Sequence, residues 1–330
     1  MSTPMDSDVL NYRGLLYAYG ANSTPFLASI ASKTKRTRAW TIPISNYYTP
    51  GGGAQTVISE DTAKSDAVAT TVELTQAVNV CQIQWRHVES TFRKESQSGQ
   101  YYSSSVNADG FGESLTNIAF QKKVNLIALA KDLEFSMLQG AYVAEGTSAT
   151  ATSMRGFKNA ITTNTVAAGS LKLSKEMIEE LVRKMVASGS PFIDPVVLCG
   201  AFNIQQLSDI YGYAPMDRNM GGVYIKDFLV PGAGGSGVLT ALYSPQMPSD
   251  QVYIVERSVC APVFCPVPPS TEGIQIGQRM DAGSAPGLDV GYYVKGQTAA
   301  VAAGFLYMQP SFDYGTELYH GSITGLAYSA

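Results

Sequence analysis

The chain has 330 residues, of which 45% are hydrophobic and 15% are charged, which is the composition of a folded globular protein and not of a disordered one. Its net charge of −4 gives no overall electrostatic reason for nucleic acid or an anionic membrane to be the main partner. The longest apolar stretch, Thr298–Met308, is roughly half as long as a membrane span requires, so no membrane segment is expected.

The N-terminus, MSTPMDSDVL, has two acidic residues and no apolar core, which is not the pattern of a signal peptide. We therefore expect a product that is soluble and intracellular where it is made. The cysteines show no CxxC spacing, so they are expected to be reduced thiols in the core, without a disulfide framework. They are Cys81, Cys199, Cys260 and Cys265.

Residues 1–32 are predicted to form an N-terminal arm. Apolar residues at helical spacing predict a short helix over Asp8–Tyr19, ending at Gly20. These residues are Val9, Tyr12, Leu15, Leu16 and Tyr19. A second apolar patch, Phe26–Ile30, follows Pro25. The arm is expected to be tied down at points and not to be a domain.

Residues 33–77 are predicted to form an extended two-stranded ribbon. The first strand alternates, with Trp40, Ile42 and Ile44 on one face, and it stops near Pro50–Gly53. The return strand is placed at Val68–Gln76. An isolated ribbon of this length is not stable in water, so it is expected to lie on another subunit. The candidate intersubunit contacts are Lys35, Arg36, Arg38, Trp40, Tyr47, Tyr48 and Lys64.

Local charge in this ribbon is positive at its start, with Lys33, Lys35, Arg36 and Arg38 close together. A solvated or subunit-pairing stretch is the first interpretation, and contact with phosphate is the second. Paired tyrosines, such as Tyr47–Tyr48 and Tyr292–Tyr293, point to opposite faces of a strand. One of each pair is then available to a partner, unless the strand is an ordinary exposed edge.

A strand at Val78–Val88 and a Gly/Ser/Tyr-rich stretch at Ser96–Gly110 precede a long helix at about Ser114–Gln139. Apolar residues at four- and three-residue spacing predict it, and Gly140 stops it. They are Leu115, Ala119, Leu126, Ala130, Leu133 and Met137. At 1.5 Å per residue the helix is roughly 38 Å long.

The second half reads as a sheet flanked by helices. Ser174 caps a helix that ends near Gly189, and a helix at Asn203–Tyr211 follows. The predicted strands are Pro195–Cys199, Val223–Val230, Val238–Tyr243, Val252–Val255, Gln275–Met280, Asp289–Lys295, Ala300–Gln309 and a piece around Leu318–Leu326.

No catalytic, cofactor or metal site is predicted. The chain has two histidines, His87 and His320, and Cys81 lies too far from His87 along one predicted strand for a thiol–imidazole pair. Glu317 and His320 have metal-ligand spacing, but in a single copy. Gly232–Gly237 fits GxGxxG, yet a strand follows it instead of the helix that a dinucleotide site requires, so a hairpin tip is expected.

The order of these parts resembles the major capsid proteins of tailed phages. Arg38–Pro43 resembles the strand that leads into that family's extended loop, Val78–Ile83 the stretch after it, Phe120–Gly140 its spine helix and Leu318–Gly325 its terminal strand. The resemblance implies an α+β, HK-97-like fold. Its parts are an arm (1–32), an extended loop (33–77), a peripheral domain (78–165, spine helix about 114–139), an axial domain (166–274) and closing strands that return to the peripheral domain (275–330).

The resemblance further implies an icosahedral shell subunit, located in the virion and assembled in the host cytoplasm. Its expected partners are other copies in hexamers and pentamers, portal and scaffolding or decoration proteins, and packaged double-stranded DNA. The lysine–asparagine cross-link of some relatives is not carried over, because nothing identifies a partner for Lys64. The alternatives are a nanocompartment (encapsulin-like) shell protein and an α/β enzyme that uses His320 or the glycine-rich turn.

Overall fold

The computed structural model describes residues 24–48, 57–64, 72, 75–93, 117–144, 146–147, 149–211, 223–225, 239–266, 277–280, 290–295 and 299–328. Several predicted features lie outside these residues. They are the arm helix Asp8–Tyr19, the loop tip Pro50–Gly53, most of the Val68–Gln76 strand, the stretch Ser96–Gly110 and the turn Gly232–Gly237.

The helices in the described part are short, with one exception. In chain order they are α1 (Pro25–Ile30), α2 (Asn117–Gln139), α3 (Phe157–Ala160), α4 (Lys175–Ala187) and α5 (Ala201–Tyr211). As predicted, Ser174 caps α4, because its hydroxyl accepts a hydrogen bond from the Met177 N–H at 3.4 Å. Gly189 follows with a positive φ of 82°, a conformation that favours glycine.

The described strands form four sheets. In chain order they are β1 (Lys35–Arg36), β2 (Thr41–Tyr47), β3 (Thr75–Val80), β4 (Gln84–Thr91), β5 (Thr165–Ala167), β6 (Pro195–Cys199), β7 (Val223–Ile225), β8 (Leu239–Tyr243), β9 (Val252–Glu256), β10 (Ala261–Phe264), β11 (Gly277–Met280), β12 (Val290–Val294), β13 (Val301–Met308), β14 (Pro310–Asp313) and β15 (Gly321–Thr324). The sheet orders are β5-β15-β9-β6-β8-β7, β11-β12-β13-β4, β1-β10-β14 and β2-β3.

The six-stranded sheet separates two hydrophobic cores. Along β6, Val196 and Leu198 belong to the core that also contains the apolar side chains of α2, whereas Val197 and Cys199 belong to the core of α4 and α5. Successive strand residues point to opposite faces, so a strand buried on both sides is apolar throughout. The predicted buried strand at Pro195–Cys199 is confirmed with the same bounds.

The long helix is present as α2, and its predicted apolar face is buried at Leu126, Ala130, Leu133 and Met137. Residues 114–116 and the side chain of Ala119 are not described. The helix ends at Gln139, and at the following Gly140 an added Cβ would collide with the carbonyl oxygens of Ser136 and Met154. A residue with a side chain does not fit where these two backbone segments approach each other.

The described part of the ribbon is a pair of antiparallel strands, β2 and β3, which runs from Thr41↔Val80 to Tyr47↔Thr75. Thr75 and Gln76 belong to the predicted return strand Val68–Gln76, and the pairing continues beyond it to Val80. The predicted strand Val78–Val88 is divided at residues 81–83. The Cys81 N–H donates to the Trp40 carbonyl and the Gln82 N–H to the Pro310 carbonyl, each at 2.8 Å, so the backbone leaves one sheet for another.

The base of the ribbon is anchored in its own subunit. Asn79 is fully buried, and its amide donates to the carbonyls of Phe312 (2.8 Å) and Arg155 (3.2 Å). Its Oδ1 accepts from the Arg155 N–H at 2.7 Å, and the Ser311 hydroxyl donates to the Val80 carbonyl at 2.8 Å. Within residues 33–77 the start of the ribbon is also held in its own subunit, because β1 pairs with β10. That the outer ribbon lies on a neighbouring subunit stays a prediction.

The described strands of residues 275–330 divide among three sheets. β11, β12 and β13 form a sheet with β4, against which α2 packs. β14 pairs antiparallel with β10 in the three-stranded sheet. β15 pairs parallel with β5 and antiparallel with β9 in the six-stranded sheet, so β14 and β15 do not join the sheet that packs on α2.

Candidate intersubunit surfaces

The excursion, defined as residues 33–77, presents large apolar side chains to solvent. Trp40 is 45% exposed and Tyr48 is 61% exposed. Farther out, Val57 and Ile58 are 85% and 63% exposed. Clustered exposure of this kind is typical of surfaces that become buried when a protein associates.

The predicted alternation of the first strand holds only in part. Ile42 is buried and Ile44 is partly buried, as a shared face requires. Trp40 lies in a bend before β2 and is exposed, so it does not share that face. Tyr47 is the last residue of β2, and its side chain is outside the described residues.

The basic segment is partly engaged within its own subunit. The Lys35 ammonium pairs with Asp313 at 2.7 Å, and the Lys33 ammonium donates to the Arg257 carbonyl at 2.8 Å. Their segment is held there because β1 pairs parallel with β10. Arg36 and Arg38 have exposed side chains on the same short segment.

Lys64 ends a single 3₁₀ turn, Thr62–Lys64, in the outer part of the excursion. Its ammonium pairs with Asp61 at 2.8 Å, and both side chains are largely exposed. An ion pair this exposed contributes at most about 1 kcal/mol, so it leaves Lys64 available for exchange with another partner.

A groove between α2 and β4, with a volume of about 300 Å³, was not predicted. Three apolar side chains in its lining are exposed: Ile83 by 46%, Trp85 by 62% and Phe135 by 48%. Arg86 holds the two elements together through two hydrogen bonds to Asp132, at 2.7 and 3.2 Å. Ile83 and Trp85 are two residues apart, so they share one face of the predicted strand, and this pair of large apolar residues was the sequence signal for the groove.

A family model described as the SU10 major capsid protein matches residues 2–281. The chain belongs to this family. It is a major capsid protein with an HK-97-like fold, a structural subunit that self-assembles into the shell of a virion. A search of curated proteins returns no match.

Solved shell proteins share the fold at low sequence identity. The capsid asymmetric unit of cyanophage A-1(L) is 13% identical, with 92% of this chain and 93% of that chain covered and a TM-score of 0.58. The capsid of a native GTA particle is 11% identical over 97% and 95%, with a TM-score of 0.54. The SrpI encapsulin of Synechococcus elongatus PCC 7942 is 12% identical over 90% and 86%, with a TM-score of 0.53.

The encapsulin similarity shows that the nanocompartment alternative has the same fold, so fold alone does not separate the two kinds of shell. The family match does, and it favours the capsid. Among the described residues of this major capsid protein, no helix is long and apolar enough to cross a membrane. The same residues contain no cluster of three or more metal-ligating side chains.

His320, the residue proposed for the enzyme alternative, is a core residue. The imidazole is fully buried, its Nδ1 accepts from the Glu256 N–H at 3.2 Å, and its Nε2 lies 2.6 Å from the Tyr314 carbonyl, to which it donates. Burial lowers the pKa of His320 to about 4. The ring is therefore neutral at physiological pH, and its two nitrogens join β9 to the residue that follows β14.

Glu317 does not point to the same place as His320. Its carboxylate accepts hydrogen bonds from the hydroxyls of Thr162 (2.6 Å) and Thr163 (2.8 Å) and from the Thr162 N–H at 2.8 Å. Burial acts to raise the pKa of Glu317, but these hydrogen bonds outweigh it and lower the pKa. Glu317 and His320 therefore make separate structural contacts, Glu317 with the threonines and His320 with Glu256 and Tyr314.

Cys81, Cys199 and Cys260 of the major capsid protein are buried free thiols, whereas Cys265, also expected in the core, is only partly buried. Burial raises the pKa of Cys199 to about 12 and also raises that of Cys260. A thiol with a raised pKa is a poor nucleophile, because the thiolate is the reactive form.

Glu134 fixes the root of the arm. It is fully buried in α2, and its carboxylate accepts from the Leu27 N–H at 3.0 Å and from the Ser244 hydroxyl at 2.5 Å. Burial raises the pKa of Glu134, while these bonds oppose the rise. The carboxylate thereby joins α1, α2 and the residue that follows β8.

Proposed function

We propose that this major capsid protein forms hexamers and pentamers that close around packaged double-stranded DNA, without catalytic turnover. The observation that carries the proposal is the excursion. Its strands β1 and β2 pair with β10 and β3 of the same subunit, while Trp40, Tyr48 and Val57 remain exposed. Because the excursion is fixed at its start and its outer apolar side chains are exposed, these side chains are expected to become buried on another subunit. Interlocking of this kind adds specificity to a closed symmetric assembly.

The contacts between copies are proposed at the predicted positions Lys35, Arg36, Arg38, Trp40, Tyr47, Tyr48 and Lys64. Trp40 and Tyr48 are supported by their exposure, since aromatic residues are enriched at interfaces. Lys35 is the weakest of the set, because its ammonium is paired with Asp313 of the same subunit.

The remaining proposals concern organisation and partners. The arm, extended loop, peripheral domain, axial domain and closing strands keep the boundaries given above. Two of the closing strands differ from the rest, since β14 pairs with β10 and β15 belongs with the six-stranded sheet. Assembly takes place in the host cytoplasm, together with portal and scaffolding or decoration proteins. Contact with packaged DNA is proposed to be non-specific, and the net charge of −4 provides no overall attraction to it.

Electron microscopy of the purified chain, with and without lysate from phage-producing cells, tests the proposal. Capsomers or closed shells are expected, and the lysate shows whether other phage proteins are required. The double variant Trp40→Ser/Tyr48→Ser is expected to reduce shell yield, whereas Leu171→Ser, at a residue 62% exposed outside the excursion, keeps it. A compact monomer under both conditions, with the excursion protected from protease, contradicts the proposal.

A further inference from the structure

Within the described part of the chain, β4 is an edge strand of the four-stranded sheet, with β13 on one side of it. The Phe92 N–H donates to the Ala300 carbonyl, and this bond continues the β4–β13 ladder. Because hydrogen-bonded and non-hydrogen-bonded pairs alternate, the even-numbered residues of β4 direct their main-chain groups to β13. The odd-numbered residues from Trp85 to Thr91 direct theirs away from the sheet.

The main-chain groups on this outer side of β4 have no partner among the residues that the structure describes. They are the N–H and C=O groups of Trp85, His87, Glu89 and Thr91. The side chains of these residues are exposed, by 62% at Trp85, 39% at His87 and 66% at Glu89. A row of free donors and acceptors on an edge strand is a template for pairing with another strand.

The groove between α2 and β4 lies at the start of this edge. Ile83, Trp85 and Phe135 all line the groove, and all three are exposed. A strand that pairs with β4 would cover part of this apolar surface. Burial of apolar area would then add to the main-chain hydrogen bonds of the new pair.

The sequence of the edge is complementary to itself. Two antiparallel copies pair with odd-numbered residues opposite each other, because these residues carry the free main-chain groups. A two-fold axis at Val88 places His87 opposite Glu89 and Trp85 opposite Thr91, so all four open residues are used. An axis at His87 or at Glu89 places two imidazoles or two carboxylates opposite each other, and like charges directly opposite are destabilising.

We propose that two copies of this protein pair through β4 about a two-fold axis at Val88, so that their four-stranded sheets join into one. Each hydrogen-bonded pair of residues exchanges two main-chain bonds, which gives about eight bonds in total. An N–H of the His87 imidazole donates to the carboxylate of Glu89 in the partner. Within one chain the same two side chains lie 3.9 Å apart, so both already face the same surface.

This contact rests on the proposed shell function and adds a second kind of contact, which does not involve the excursion. Both copies use the same surface, so the contact closes on itself and ends at a dimer. A shell needs at least one further contact to grow beyond pairs of subunits, and the excursion is proposed to supply it. The edge contact would then connect subunits that the excursion does not connect.

Disulfide trapping between two variants tests the pairing and its register. One chain carries His87→Cys and the other Glu89→Cys, both in a Cys265→Ser background because Cys265 is only partly buried. In a mixture, the link between positions 87 and 89 is expected to form about tenfold faster than the link of either variant to itself, since only the mixed pair is directly opposite. Non-reducing gels and mass spectrometry of the linked peptides identify each product.

The outcomes separate this contact from the shell function. A faster link of either variant to itself places the axis elsewhere and overturns the proposal. Shells that form without any cross-link overturn the β4 contact and leave the shell function intact, whereas a chain that stays monomeric under every condition overturns both. If a protein from the phage lysate protects both thiols from alkylation and no cross-link forms, the edge binds that protein and the proposal is overturned.

Exchange of the two polar residues gives an independent test. Glu89→His alone places two imidazoles at the paired positions, and His87→Glu alone places two carboxylates there. Each single variant is expected to lower the shell yield several-fold, and His87→Glu/Glu89→His is expected to restore it, because each imidazole again faces a carboxylate. Circular dichroism confirms that the variants fold. A double variant that is as impaired as the single variants, or single variants that assemble normally, overturn the proposal.

Discussion

At the scale of single residues, His320 makes the stability of this protein dependent on pH. The ring is neutral in the folded chain because burial lowers its pKa. Its Nδ1 accepts from the Glu256 N–H, so a proton there would also place two donors face to face. The pKa of His320 is about 4 when folded and near 6.5 when unfolded. The stabilisation from the neutral ring is therefore complete above pH 6.5 and is lost progressively as the pH falls from 6.5 to 4.

The expected loss between pH 6.5 and 4 is about 3 kcal/mol, from the difference between the two pKa values. Glu134 acts in the opposite sense, because its raised pKa favours the folded state on acidification. The test is therefore a difference: the pH dependence of unfolding in the wild type minus that in His320→Gln. His87→Gln, at an exposed histidine, is the control. A His320→Gln variant that keeps the wild-type slope contradicts the prediction.

Asn79 carries a second prediction at this scale. Asn79→Asp replaces an amide donor with a carboxylate that faces the carbonyls of Phe312 and Arg155. The unfolding free energy is expected to fall by about 3 kcal/mol, because a buried charged group loses its partners. Asn159→Asp is the control, since its amide makes an exposed hydrogen bond to the Gly140 carbonyl. Denaturant melts of both variants measure the effect, and equal midpoints oppose the idea that Asn79 anchors the ribbon.

At the scale of elements, the excursion is expected to be separable from the fold. Deleting Gly51–Lys64 removes the outer part of the ribbon and leaves the bonds of Asn79 and Val80 at its base. The melting temperature is expected to change by less than about 3 °C, because few buried contacts are lost. Shell assembly is expected to fail. If circular dichroism shows that the deletion variant is unfolded, the prediction that the fold is independent of the excursion is contradicted. If the variant still assembles, the predicted role of the excursion in assembly is contradicted.

The elements that sequence predicted well are those whose pattern is local. α4 follows from a capping serine and helical periodicity, and β6 from a continuous apolar run, so both keep nearly their predicted bounds. The division between β3 and β4 was missed because hydrogen bonds to Trp40 and Pro310 decide it, and both are distant in sequence. The partner of β15 was missed for the same reason.

Part of the candidate intersubunit surface could also be predicted. Aromatic residues beside turn signals are visible in a sequence, and Trp40 and Tyr48 are exposed, as a contact role for the excursion requires. The engagement of Lys33 and Lys35 was not visible, because their partners are Arg257 and Asp313, 224 and 278 residues away. The exposure of Val124, Ile127 and Phe135 on α2 could not be predicted. Helical periodicity identifies the buried face of a helix, but it does not show which element covers the opposite face.

At the scale of the whole molecule, each subunit carries a low net charge of −4, so a few charged residues at a contact can control how two subunits associate. Arg36 and Arg38 are exposed on a segment whose backbone is fixed by β10. Reversing both, Arg36→Glu/Arg38→Glu, changes the net charge from −4 to −8, since each substitution contributes −2. Like-charge repulsion at a subunit contact, or at the DNA-facing side, is expected to lower shell yield or DNA content several-fold.

The matched control for this pair is Lys158→Glu/Lys172→Glu, which makes the same charge change at exposed residues outside the excursion. Counting shells by electron microscopy and measuring absorbance at two wavelengths separates the two effects. Fewer shells with normal DNA content places the arginines between subunits, whereas normal shells with less DNA places them toward the lumen. If the reversed variant matches the wild type in both measures, the segment is a solvated surface. If the control is equally impaired, total charge and not position controls assembly.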